Sequence, residues 1–152
     1  VCVCGKLYRS FPMIKHKPLP KNIHDLLSKA ADYLQSRSDV SFAYLFGTLS
    51  KGQGTPLSDV DIAVFLSSGA KKAENKLEIL GDLSDHLNTD EVDLVVLNTT
   101  SLPLKMRVLK SGKVIADNDP FKRHDFESLT IRQYLDFAIK EKAILGRRFL
   151  NG

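Results

Sequence analysis

Between Asn22 and Gln35 the apolar residues Ile23, Leu26, Leu27, Ala30, Ala31 and Leu34 recur every three or four positions. His24, Asp25, Lys29 and Asp32 fall on the other side. That period predicts an amphipathic helix, with Asn22 placed to cap it. "VSFAYLF", Val40 to Phe46, is an aromatic and aliphatic run closed by Gly47, and predicts a strand. Thr48 to Ser58 contains Gly52, Gly54 and Pro56, so it reads as a loop with room for one helical turn over "TLSK". "DVDIAVFL", Asp59 to Leu66, predicts the second strand. The next segment, Lys71 to Leu87, predicts a helix with Ala73, Leu77, Leu80, Leu83 and Leu87 on its apolar stripe. "EVDLVVLN", Glu91 to Asn98, is the third strand. "LPLKMRVLKSG" reads as a short helix stopped at Gly112, and "KVIAD" as a fourth strand. From Phe121 onward, Ile131, Tyr134, Leu135, Ala138, Leu145 and Phe149 mark a long final helix. This alternation, without repeats or an interdomain linker, predicts one α+β domain with a mixed sheet flanked by helices.

Composition adds bounds rather than a function. A chain of 152 residues suits one domain with its own core. No apolar run approaches the roughly 20 residues of a membrane span, and no signal-peptide core stands at the start, so a cytoplasmic protein is expected. The net charge of +4 is concentrated at one end: residues 1–21 carry Lys6, Arg9, Lys15, Lys17 and Lys21 and no acid. The remainder is close to neutral and has no nucleic-acid footprint. Residues 1–20 are read as a peripheral, poorly ordered basic leader, with Met13 an alternative start, and residues 21–152 as the folded domain. Cys2 and Cys4 find no further Cys/His spacing with which to ligate zinc, and read as reduced thiols. His16, His24, His86 and His124 show no paired spacing and read as surface residues. Tyr33, Tyr44 and Tyr134 read as core, and Arg147–Arg148 as a solvated helix end.

The chemistry is concentrated in Asp59 and Asp61. In a strand, residues i and i+2 share a face about 6.6 Å apart, so the two carboxylates project together and repel unless a cation joins them. A pair of Mg²⁺ ions roughly 3.5–4 Å apart uses such carboxylates for in-line displacement at phosphorus. A third carboxylate is expected from a neighbouring strand. Asp93 opens "DLVVLN" in the same way, and Glu91 shares its face.

Gly47-Thr48 supplies the complementary half. Glycine admits close approach of the backbone to a phosphate, the Thr48 hydroxyl can donate to it, and Lys51 offers a point charge. Gly47 and Gly52 stand at Walker A spacing, but Gln53 occupies the position that requires lysine, so a P-loop is excluded.

Ten residues, Leu49 to Ser58, separate Thr48 from Asp59. This pattern resembles the Gly-Ser, ten residues, Asp-x-Asp signature of the DNA polymerase β-type nucleotidyltransferase superfamily. It is most similar to the minimal nucleotidyltransferase (MNT) group, whose pattern is Gly-Ser-x-Ala-Arg-Gly, five residues, Ser-Asp-x-Asp. Here the chain reads Gly47, Thr48, Leu49, Ser50, Lys51, Gly52, then Ser58-Asp59-Val60-Asp61, with Asp93 matching the third carboxylate. The departures are Thr48 for Ser, Ser50 for Ala and Lys51 for Arg.

The resemblance implies a single-domain nucleotidyltransferase fold and a Mg²⁺-dependent enzyme that moves AMP from ATP onto a hydroxyl. Asp59, Asp61 and Asp93 would be the metal ligands and catalytic carboxylates, holding two Mg²⁺ ions. Gly47, Thr48, Lys51 and Ser58 would bind the nucleotide. It also implies a HEPN-domain toxin as partner, with one of its tyrosines as acceptor and this chain as the antitoxin. The alternatives are an antitoxin that neutralises by binding alone and a small-molecule nucleotidyltransferase. Partner docking is expected near the Gly52–Leu57 loop and the final helix.

Overall fold

The computed structural model describes residues 18–52, 58–68 and 71–150. Residues 1–17 of the basic leader, with Cys2, Cys4, Met13 and His16, and the Gln53–Leu57 part of the glycine-rich loop lie outside the described residues; of the leader's last three residues, Leu19 is buried against the core. The elements follow the hydrophobic pattern in order: α1 (Ile23–Ser36), β1 (Val40–Phe46), α2 (Gly47–Ser50), β2 (Val60–Leu66), α3 (Lys72–Leu87), β3 (Val92–Val96), α4 (Leu102–Ser111), β4 (Lys113–Asp117) and α5 (Pro120–Leu150). The anticipated turn over "TLSK" is α2, begun one residue earlier.

The four strands form one sheet in the order β3-β2-β1-β4. β1 runs antiparallel to both β2 and β4, whereas β2 and β3 are parallel. A parallel pair cannot be closed by a hairpin, and α3 supplies the crossover. The sheet is therefore mixed and covered on both faces. Val60, Ile62, Val64 and Leu66 pack with Leu26, Ala30, Leu34, Ile79, Leu83 and Leu87 beneath α1 and α3. Ala63 lies on the opposite face with Phe42, Tyr44, Phe46, Leu97, Val108 and Phe126, beneath α4 and α5. All seven residues of β1 are buried, which is why its sequence is continuously apolar rather than alternating. A register shift between Val40 and Phe42 sends these two residues to opposite layers.

Two apolar stripes differ from the sequence reading. On α3 the buried line is Ile79, Leu83 and Leu87, while Leu77 is 71% exposed. At about 100° per residue Leu77 lies roughly 160° around the helix from Ile79, so one seat cannot bury both. On α5 the buried positions are Phe126 and Thr130, whereas Ile131, Leu135 and Leu145 are exposed. The 31 residues of α5 span about 46 Å, against about 23 Å for a seven-residue strand. The helix overruns the sheet, and its later apolar residues are left exposed among the described residues. Asn22 stands at the N-cap position of α1, but through its carbonyl rather than its side chain.

The first half of α5 is held firmly. Phe126 packs at 5.4 Å from the Phe42 ring and 5.5 Å from Phe65. The buried Tyr44 hydroxyl donates to Glu127 at 2.6 Å. Arg123 donates to the same carboxylate and to Asp117 at the end of β4. On the other side, Arg37 pairs with Asp39 through two bonds of 2.7 Å and reaches Glu78 on α3 at 3.0 Å. Among the described residues, no helix is long and apolar enough to cross a membrane.

Candidate active site

Gly47 follows β1 directly and takes φ +75°, a left-handed conformation that side-chain-bearing residues rarely adopt. The tertiary reason is on the next strand. A β-carbon at Gly47 would overlap Oδ2 of Asp61, because Asp61 stands opposite Phe46 in the antiparallel register. The Asp61 carboxylate therefore sits directly over the backbone that opens α2. Glycine here provides both the turn and the seat for the acid.

Ser50 closes this turn. Its buried hydroxyl lies 2.7 Å from the carbonyl oxygens of both Gly47 and Ser111, and its single proton serves one of them at a time. This contact ties α2 to the last residue of α4. The hydroxyl that sets this chain apart from the Ala of the resembled motif thus has a structural use. Lys51 and Gly52 donate their amides to the carbonyls of Thr48 and Leu49, completing the turn. Thr48 and Lys51 are exposed.

The acids are brought together in part. Asp61 and Asp93 are direct partners in the parallel β2–β3 register, and neighbouring strands lie about 4.8 Å apart. Both belong to the α4–α5 face of the sheet, since their strand neighbours alternate onto the opposite core. Asp93 is exposed and Asp61 half-buried. Ser58 and Asp59 precede β2 and are half-buried. Glu91 precedes β3, where its carbonyl accepts the Val60 amide at 2.9 Å. Among the described residues, no group of three or more His, Cys, Asp or Glu side chains is gathered into a metal-binding cluster.

Beside Asp61 opens a cavity of about 460 Å³. Gly47, Thr48 and Lys51 line one side of it. Pro103, Met106, Arg107, Lys110 and Ser111 of α4 line another, together with Tyr134 of α5. Asp59, Asp93 and Ser58 are not among its walls. Tyr134, expected in the core, is half-buried at the cavity, with the Lys110 ammonium 5.2 Å from its ring centre. The contribution of α4 is not evident from sequence. Its residues at spacings i, i+3, i+4 and i+7 form one helix face, but only the fold turns that face toward Asp61. Tyr44 is core as expected, and burial raises its phenol pKa well above the usual range. His24, His86 and His124 are exposed, as read from sequence.

A family model described as "Polymerase beta, Nucleotidyltransferase" matches residues 28–121. Among solved structures, the chain is similar to a crystal structure of a toxin–antitoxin with AMP-PNP, at 27% identity and a TM-score of 0.64, covering 78% of this chain and 94% of that one. It is also similar to a tri-AMPylated Shewanella oneidensis HEPN toxin in complex with MNT antitoxin, at 25% identity and a TM-score of 0.60, covering 80% and 94%. A toxin–antitoxin MntA–HepT structure matches at 26% identity, with a TM-score of 0.59 and coverage of 80% and 95%. No curated protein matches significantly. The matched model spans β1 to β4, the glycine turn and the paired acids, and the chain belongs to the polymerase β nucleotidyltransferase family.

Proposed function

We propose that this nucleotidyltransferase moves AMP from ATP to a tyrosine hydroxyl of a HEPN-type toxin, and so acts as its antitoxin. The observation that carries the reading is the seat of Asp61 over Gly47, with Asp93 beside it in register. It brings two acids to the glycine turn that opens α2 and lines the cavity. The similar structures supply the direction of the reading: one contains AMP-PNP, and another an AMPylated HEPN toxin with its MNT antitoxin.

Mg²⁺ fits the donor set. Carboxylate oxygens are its preferred ligands, and one or two of them plus substrate phosphates suffice, so no preformed three-acid cage is required. Asp61 and Asp93 would hold it, with Asp59 joining from the strand entry. Two ions would neutralise phosphate charge at the reacting centre. Thr48 and Lys51 would hold the phosphates against the turn. The acceptor oxygen attacks the α-phosphorus, the bond from that phosphorus to the oxygen bridging the β-phosphate breaks, and pyrophosphate leaves. Asp93, the more exposed of the paired acids, takes the hydroxyl proton.

A protein acceptor suits the surface. Beyond Tyr134, α5 exposes Leu135, Phe137, Ile139, Ile144 and Leu145 around its circumference, and exposed apolar area of this kind supports a protein contact. Intact-mass measurement of a HEPN partner, incubated with this protein, ATP and magnesium, tests the proposal. The expected result is a mass gain of whole AMP units that disappears when the acceptor tyrosine is replaced by Phe. A partner that binds tightly but is never modified would support neutralisation by binding alone.

A further inference from the structure

The cavity beside Asp61 has a cationic wall that the two sequence motifs do not supply. Arg107 and Lys110 lie almost one turn apart on α4, facing the same space as Lys51. Leu104 and Val108 of the same helix turn into the core. Among the described residues, none of these three cations takes part in an ion pair, although Arg37 and Arg123 elsewhere are fully engaged with acids. Lys110 is steadied instead by the Tyr134 ring, a contact that leaves its charge available. Among the described lining residues three cations face one carboxylate, a balance that favours a positive field, strengthened by low-dielectric walls. A base or ribose, being neutral, has no need of it, whereas a triphosphate does.

We propose that Arg107 and Lys110 bind the β- and γ-phosphates of the nucleotide, opposite the Thr48–Lys51 turn. This rests on the nucleotidyltransferase reading of the site. When the α-phosphorus bond breaks, negative charge develops on the departing pyrophosphate, and the two side chains stand where that charge accumulates. Arg107 can take two phosphate oxygens at once through its planar fork, while Lys110 acts as a point charge held in place by Tyr134.

The test is calorimetric titration of the full chain with ATP and, separately, with AMP, both in magnesium, for wild type, Arg107→Met and Lys110→Met. Both side chains are exposed, so the variants should fold, and thermal melting checks this. Each substitution should weaken ATP binding about tenfold, in line with a charge-assisted hydrogen bond, and change AMP binding less than about twofold. Arg107→Lys should recover part of the loss. Equal losses for ATP and AMP, or unchanged ATP binding, would overturn the assignment. If wild type transfers AMP while both variants keep its ATP affinity, this inference fails and the proposed function stands. If wild type binds neither nucleotide, both fail.

Discussion

Oδ2 of Asp61 fills the space above Gly47 that a β-carbon would need. Gly47 also holds φ +75°, so alanine at this position is penalised twice, by its own backbone and by the acid. Gly47→Ala should displace the carboxylate by a fraction of an ångström to an ångström. A displacement of that size costs on the order of 10²-fold in rate, with a modest loss of stability. Transfer rate and melting temperature measured together decide it. A variant that melts lower yet transfers at the wild-type rate would show that the Asp61–Gly47 contact is not part of the site.

Asp59→Asn, Asp61→Asn and Asp93→Asn should each remove transfer of labelled AMP while preserving the circular dichroism spectrum. Asp61 and Asp93 are register partners, so neutralising either relieves like-charge repulsion. The melting temperature without magnesium should hold or rise. Normal ATP consumption by the Asp59→Asn/Asp61→Asn double variant would sink the metal-site assignment.

Thr48 is exposed at the cavity edge. Thr48→Ser should match or exceed wild-type activity, because it keeps the hydroxyl and removes the methyl. Thr48→Val should lose on the order of 1–3 kcal/mol of phosphate binding. Steady-state kinetics on the two variants compare them directly, and equal rates for Val and Thr would show that the hydroxyl makes no contact with the nucleotide.

The Arg37 guanidinium, bonded twice to Asp39, holds that carboxyl below its usual pKa. Because the folded-state value is depressed, the stabilisation is fully present above the unfolded value of about 3.9 and is lost as pH falls through the lower folded value. Asp39→Asn should therefore destabilise the protein at pH 7 by about 1–3 kcal/mol and flatten its acid limb below about pH 4. Denaturant melts at pH 7 and pH 3 read both effects. A difference between variant and wild type that is the same at both pH values would rule out this pair as a source of acid sensitivity.

Local pattern was enough to place the elements. β1 and β4 agree with the sequence reading at both ends, because each is a short run of strand-forming residues bounded by a glycine, turn residues or a helix end. Gly47, Thr48, Asp59, Asp61 and Asp93 stand out in the sequence for a related reason: a glycine at a strand end and acids opening apolar strands serve no local purpose. The family resemblance and the matched model agree on that region.

Faces and neighbours required the fold. Nothing near Leu77 distinguishes it from Ile79, yet one is on the surface and the other fully buried, since burial depends on where the sheet lies beneath the helix. The exposed second half of α5 follows from a length mismatch between one helix and four short strands. The use of Ser50 depends on Ser111, distant in sequence, whose carbonyl oxygen lies 2.7 Å from the Ser50 hydroxyl. Arg107, Lys110 and Tyr134 look like ordinary polar or amphipathic helix positions in the sequence. They reach the cavity because α4 and α5 cross the same sheet face as Asp61. Periodicity along a chain reports which side of a helix is apolar, but it carries no information about what stands across from the polar side.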